Sequence, residues 1–397
     1  MRLLHTSDWH LGHTLKEVTR EHEHAAFLAW LLETCKREAV DVVVITGDVF
    51  DSATPPASAE TMWFEWLAAV RRSCPAMDVI AIAGNHDSPA RLGAASAVLR
   101  ELGVHVIGRL PRTPAGALDH DRILLPVAGG RGLVAAVPFL RAVDVDLEVD
   151  DPLAAIYGEV LEAARRRRTP GQALIALGHL YMTGADPSAL SERRIAIGGQ
   201  ESTSLRMFPA EISYVALGHL HRAQQVGRRS IRYAGAPIAL ALDEARYPHQ
   251  VAIVDFAGDG SLAEVRSAAV PRATEIVRIA GTLDQALDGI AALPPAGGDI
   301  AAWPYLDLEV TLARPEPKLR AHIEHALDGK RARLVQLRVV GTGDHAALAE
   351  RVNVRRLAEL DPRDVFAQLW SRDHAEPPSD AVLGAFDRLL ADVRGDA

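Results

Sequence analysis

Apolar residues fall along the first 140 positions in two kinds of run. The stretches "RLLHTS" near the N-terminus, "DVVVITG" (41–47) and "DVIAIAG" (78–84) are short, continuous and largely β-branched. That pattern predicts strands buried on both faces. Between them, residues 21–39 place Phe27, Leu28, Leu31 and Leu32 at helical spacing, and 57–72 and 90–102 read as further helices. Strands alternating with helices predict βαβ units and a mainly parallel sheet. From 104 to 137 the segments shorten to "VHVIG", "RILLPV" and "GLVAAVPF". A helix over 151–168 ends in four arginines, and "ALIALGH", "ISYVALGHLH", "SIRYAG" and "HQVAIVDF" come after it as strands. Two strand-rich halves packed together predict an α/β/β/α sandwich over residues 1–270.

The pattern then changes. Residues 275–341 spell β-α-β-α-β, a small second domain of α+β type with "PPAGGD" as its loop. From 345 to 397 the pattern is helical. Val365, Phe366, Leu369 and Trp370 share one apolar face, and Val382, Leu383, Phe386, Leu389, Leu390 and Val393 share another. "EPP" (376–378) separates them.

Composition narrows the class. The chain has 397 residues, 48% apolar and 24% charged, which is ordinary for a globular protein of two or three domains. No apolar run reaches the roughly 18 residues of a membrane span. "MRLLHTSDWH" is too short in apolar residues for a signal peptide. Two cysteines, Cys35 and Cys74, argue against a disulfide scaffold, so the expected compartment is the cytoplasm. The net charge of −9 disfavours a protein that coats nucleic acid by bulk positive charge. It does not exclude a nucleic-acid enzyme whose metal ions supply positive charge locally.

Chemistry gathers where the apolar strands stop, the edge at which a parallel sheet builds its site. "SDWH" brings Asp8 and His10 at i and i+2, the spacing that puts two side chains on one side of a strand. "GDVFD" brings Asp48 and Asp51, "GNHDS" brings Asn85, His86 and Asp87, "LGHL" brings His179, and "LGHLH" brings His219 and His221. Singly, each has a plain reading: Asp and Asn close turns, and a lone His after a strand is usually structural. Turn chemistry does not place five histidines at strand ends. Asp, Asn and His without Cys suit Mn²⁺, Fe²⁺ or Zn²⁺. Donors in this number are too many for one ion and natural for two with a bridging carboxylate. Paired ions clamp the oxygens of an in-line displacement at phosphorus and lower the pKa of a bound water. The expected substrate is a phosphate ester.

The series "DWH…GDVFD…GNHDS…GH…GHLH" resembles the calcineurin-like metallophosphoesterases. The longer stretches "HTSDWHLGHTL", "TGDVFDSATPP", "AGNHDSPARL", "PFLR" and "GHLHRAQQVGRRSIRYAGAPIALALDEA" are similar to the SbcD family of bacterial double-strand-break repair nuclease subunits. The resemblance implies a four-layer α/β/β/α metallophosphoesterase sandwich over 1–270, a capping domain over 275–341 and a helical partner-binding region over 345–397. It implies two Mn²⁺ ions, with Mg²⁺ or another divalent ion as alternatives. Asp8, His10 and His221 would hold one, Asn85, His179 and His219 the other, with Asp48 bridging. His86 would protonate the leaving 3′ oxygen or stabilise charge on phosphorus, with Asp87 orienting its imidazole or, as the alternative, serving only the turn. Archaeal members of the wider family carry His at the position of Asp51. A carboxylate there is expected to hold a ligand histidine or a coordinated water.

The resemblance further implies a nuclease, a 3′→5′ exonuclease on duplex ends and an endonuclease on single strands and hairpins. It would be a homodimer, act with an SbcC-like ATPase and be nucleoid-associated. A small-molecule phosphodiesterase of the same superfamily and a DNA-end tether with a vestigial site are the alternatives. Trp63, Phe64 and Trp66 cannot all face one core, so the 57–72 helix either packs on the sheet or also serves a dimer interface. The Arg165–Arg168 run reads as a solvated helix end, with DNA-backbone contact as the alternative.

Overall fold

The computed structural model describes residues 1–146, 148–187 and 202–341, together with 366, 370, 378–379 and 382–386. The 345–397 tail therefore lies outside the described residues except for those few, among which the Phe366 ring stacks on Phe386 at 4.3 Å.

Two six-stranded sheets face each other. In spatial order the first runs Leu262–Ala269, Gln250–Phe256, Arg2–Thr6, Val42–Thr46, Asp78–Ile82, Val104–Ile107. Its last four strands are parallel, and the first two add on antiparallel. The second runs Gln224–Gln225, Ile231–Tyr233, Tyr214–Gly218, Ala173–His179, Gly132–Ala136, Leu124–Val127. Its four inner strands are parallel and its two edges antiparallel.

Side chains alternate across each strand, and both faces are covered. Leu3, Val42, Val44 and Ile80 meet Ile175, Leu177 and Ala216 between the sheets. Leu4, Val43 and Ile45 point the other way, onto the helices Glu21–Arg37 and Ala57–Ser73. Leu174, Ala176 and Val215 pack on the helix Pro152–Arg167. Four layers result, α/β/β/α. The uninterrupted apolar strands are explained by this double coverage.

Two features differ from the pattern reading. The helix expected over 90–102 is broken into Pro89–Leu92 and Ser96–Glu101, with Gly93 and its weak helix propensity between them. The strand Leu262–Ala269 had no clear signal, because this edge strand is only partly buried and its sequence alternates weakly. Trp63 and Trp66 are both buried, edge-on to Trp9 at 5.8 and 5.1 Å, whereas Phe64 is exposed. The arginine run is taken up by surface ion pairs: Arg165 with Glu162 and Glu211, Arg166 with Glu162, Arg167 with Asp121.

Strands Ile276–Thr282, Tyr305–Leu312 and Arg333–Gly341 form a parallel three-stranded sheet, with helices Leu283–Ala291 and Leu319–Leu327 contributing to its apolar core. This unit docks on the sandwich through Tyr305. Its hydroxyl donates to Glu23 Oε2 at 2.6 Å, and Glu23 is itself paired with buried Arg20. Arg20 and Arg333 lie over the Tyr305 ring at 5.3 and 4.4 Å. A cleft of about 540 Å³ remains between the unit and the sandwich, lined by His10, His86 and His221 on one side and Arg278 and Arg338 on the other. No helix among the described residues is long and apolar enough to cross a membrane.

Candidate metal centre

All the flagged side chains come from C-terminal strand ends, three in the first sheet and two in the second. Asp8 and His10 come after Arg2–Thr6, Asp48 and Asp51 after Val42–Thr46, and Asn85, His86 and Asp87 after Asp78–Ile82. His179 closes Ala173–His179, and His219 and His221 come after Tyr214–Gly218. The facing of the two sheets brings these ends together.

The i, i+2 pairs do not converge by strand alternation, as the spacing suggested. Asp8 and His10 lie past the strand in left-handed backbone, with φ of 53° and 47°. Asp48 and His219 have φ of 49° and 101°, so four of the eight non-glycine residues with positive φ among the described residues belong to this site. Such backbone is strained and persists where its surroundings over-determine it. Here the loops hold one another: Asp8 N–H donates to Gly47 O, His10 N–H to Asp48 O, and His219 N–H to the Asp8 carboxylate, each at 3.0 Å. Glycines permit the close approach. A Cβ on Gly84 would collide with the Asp48 carboxylate, and one on Gly218 with the Thr46 carbonyl.

Two groups of donors flank Asp48, and a third overlaps the first at His10. Asp8, His10 and His221 form one, Asp48, His179 and His219 the other, and His10, Asp51 and His86 the overlapping third, with ligand atoms in each within 4.8 Å of one another. Asp48 Oδ2 lies between the groups, 3.6 Å from His10 Nε2 and 3.3 Å from His179 Nε2. Asn85 Oδ1 lies 2.9 Å from both His179 Nε2 and His219 Nδ1.

The orientation of the rings suits metal ions. His10 Nδ1 meets Asp51 Oδ1 at 3.1 Å, His179 Nδ1 meets Thr46 O at 2.8 Å, and His221 Nδ1 meets Glu244 Oε1 at 2.8 Å. An oxygen acceptor at Nδ1 fixes the proton there and leaves the Nε2 lone pair for a cation. His10 Nε2 is buried with no hydrogen-bond partner among the described residues. Oxygen and nitrogen lone pairs packed this closely need positive charge between them, either protons or metal ions. Burial opposes charge on Asp48 and His179, but their mutual attraction wins. Asp48 stays well below the usual carboxylate range, and His179 is pushed up to about 9. His219 is pushed down to about 3, by burial first and then by His179.

His86 and Asp87 divide differently from expectation. Asp87 does not orient the His86 imidazole. Its buried carboxylate accepts from Gly84 N at 2.8 Å, Phe50 N at 2.9 Å and Val49 N at 3.2 Å, tying the GNHD loop to the GDVFD loop. His86 Nδ1 instead donates to the Asp51 backbone carbonyl at 2.8 Å, and its backbone N–H donates to Asp48 Oδ1 at 2.9 Å. With Nδ1 tied back, Nε2 is the ring atom available to the cleft that His86 lines.

Three residues of the site's surroundings were not singled out from the sequence. Arg141, in "PFLR", donates to the carbonyl of Asp87 at 2.9 Å and steadies the GNHD loop. His13 donates from Nε2 to Leu240 O at 2.9 Å, and Glu244 backs His221. Glu244 lies 23 residues beyond its partner, and no periodicity links them.

Comparison with known proteins places these observations in a family. The calcineurin-like phosphoesterase family model matches residues 1–223. A second, described as the type 5 capsule protein repressor C-terminal domain, matches 272–374. The chain is similar to the SbcD subunit of the SbcCD nuclease of Rhodobacter capsulatus, 38% identical over 387 residues that cover 92% of this chain and 94% of the relative. It is 35% identical to the Bacillus subtilis SbcD subunit, covering 79% and 80%, and 32% identical to that of Escherichia coli K12, covering 91% and 94%.

Proposed function

The chain belongs to the SbcD family of calcineurin-like phosphoesterases and is a phosphodiester hydrolase of the nuclease-subunit type, and from that premise we propose the roles of its residues, its ions and its substrate. Two divalent ions, Mn²⁺ by preference, bind at the strand ends. Asp8, His10 and His221 would hold one, Asn85, His179 and His219 the other, and Asp48, whose carboxylate lies against both groups, would serve both. When bound, such a pair neutralises phosphoryl oxygens as a Lewis acid and supplies hydroxide near neutral pH. The observation that carries this reading is the set of three histidines whose Nδ1 atoms are each tied to an oxygen, behind two groups of converging donors.

The chain's own side chains do the rest. His86, held by the Asp51 carbonyl, presents Nε2 to the leaving 3′ oxygen and hands it a proton. The Asp51 carboxylate keeps the His10 ring in place. Asp87 acts on geometry by holding two loops in register. The substrate is DNA, cut from duplex ends in the 3′→5′ direction and opened at single strands and hairpins. The 275–341 unit caps the cleft. A second copy pairs with this one, and an SbcC-like ATPase docks on residues 345–397. The protein works in the cytoplasm at the nucleoid.

The test is cleavage of linear and hairpin DNA by the purified protein with Mn²⁺, with and without the ATPase and ATP. Cleavage is expected, and His86→Ala should lower it by roughly 10²–10⁴-fold while metal content stays nearly intact. Loss of both ions in that variant would remove His86 from the acid role. Hydrolysis of a nucleotide ester with DNA left uncut would favour a small-molecule phosphodiesterase.

A further inference from the structure

We infer that Glu244 is a positioning residue for the first metal group, acting through His221. The inference rests on the reading of Asp8, His10 and His221 as metal ligands.

Glu244 is fully buried, and both of its oxygens are engaged. Oε1 accepts from His221 Nδ1 at 2.8 Å, and Oε2 accepts from Leu240 N at 2.8 Å. Its backbone is pinned as well. Glu244 O accepts from Tyr247 N at 2.9 Å and lies 3.1 Å from His249 Nε2. The Leu240 carbonyl in turn accepts from His13 Nε2 at 2.9 Å, and Arg20 donates to Ala239 O at 2.6 Å. The carboxylate is thus set in a braced loop and has little freedom to swing.

A buried carboxylate is costly unless paired, and the His221 N–H faces it at hydrogen-bond distance. The pairing has two consequences for a cation at His221. The Nδ1 proton is fixed, so Nε2 carries the lone pair. The adjacent negative charge makes that lone pair more basic. The two donor groups are unequal in this respect. His10 and His221 are backed by the carboxylates of Asp51 and Glu244, whereas His179 is backed by the neutral Thr46 carbonyl. The geometry assigns Glu244 the larger part of that difference, because Asp51 is partly open to solvent and Glu244 is not.

Glu244→Gln keeps the shape but has one acceptor oxygen where two N–H donors must be met, so one of them is lost. Mn²⁺ titration of the full-length protein, read by electron paramagnetic resonance, is expected to show two ions in the wild type. In Glu244→Gln one ion should bind roughly 10–100-fold more weakly and the other unchanged. In a His221→Ala background the Glu244→Gln change should add nothing, because its effect runs through that ring. Nitrogen NMR of histidine-labelled, metal-free wild type is expected to show His221 protonated at Nδ1 and bare at Nε2, a readout that needs no variant to fold.

Two ions in the wild type with equal binding in Glu244→Gln would overturn this inference and leave the metal centre standing. So would the opposite tautomer, or an equal loss in the His221→Ala background. Failure of the wild type to bind two ions would overturn the metal centre and this inference with it.

Discussion

Replacing Asp87 with Asn separates a loop-holding role from a proton-tuning one. Oδ2 serves two amides, Gly84 N at 2.8 Å and Val49 N at 3.2 Å, and Oδ1 serves Phe50 N at 2.9 Å. An amide has one oxygen. Its best orientation keeps that oxygen on Gly84 and Val49 and turns its own N–H₂ toward the Phe50 N–H, stranding a buried donor. A stranded buried donor costs about 1–3 kcal/mol. Part of this is offset, because burial and then the nearby Asp48 charge push the Asp87 carboxyl up to about 6, so its ionised form is itself disfavoured. A net loss of about 2 kcal/mol is expected, which for a unit of this size lowers the melting temperature by roughly 4–8 °C. The assay is thermal unfolding in EDTA, joined to hydrogen exchange at the Phe50 amide. Exchange there should accelerate. A melt within about 1 °C of wild type, with Phe50 still protected, would refute the reasoning. A shifted pH midpoint for cleavage with an unchanged melt would return Asp87 to the imidazole.

Three further outcomes are expected. Asp48→Ala should lose both ions, because its carboxylate lies against both donor groups; metal analysis showing one ion retained would confine Asp48 to a single group. His5 and His24 are each pushed down to about 3, chiefly by burial, so the unfolded chain takes up their protons below about 6.5 while the native state does not. Stability is therefore lost as pH falls from about 6.5 toward 3, at up to about 1.4 kcal/mol per pH unit for each ring. His24→Gln should flatten that slope in urea titrations from pH 4.5 to 6.5, and an unchanged slope would contradict the assignment. Tyr305→Phe removes a buried hydrogen bond to the Glu23 carboxylate, worth about 1.5–3 kcal/mol, and should loosen the docking of the three-stranded unit on the sandwich. Faster hydrogen exchange over residues 270–276 would report it, and unaltered exchange there would place the docking energy elsewhere.

Much of the architecture was legible in the chain because periodicity reports burial directly. Continuous β-branched runs such as Val42–Thr46 can only sit between two covered faces, and the β-α-β-α-β series over 275–341 folds as written. Gly93 inside an expected helix and the half-exposed strand Leu262–Ala269 escaped, because a break and an edge leave weak patterns.

The site divides along the same line. Residue type and order alone place Asp, Asn and His at strand ends, and that is a local property: a strand must stop, and the residues just past its end are written in the chain. Which donor faces which is not local. His221 meets Glu244 across 23 residues, and His179 meets Asn85 across 94. Asp87 turned from the neighbouring imidazole to one amide of its own loop and two of another, because three N–H groups outweigh one ring. The family resemblance implied the first partner. Only the packing of two sheets face to face, with glycines letting their loops touch, decided the second.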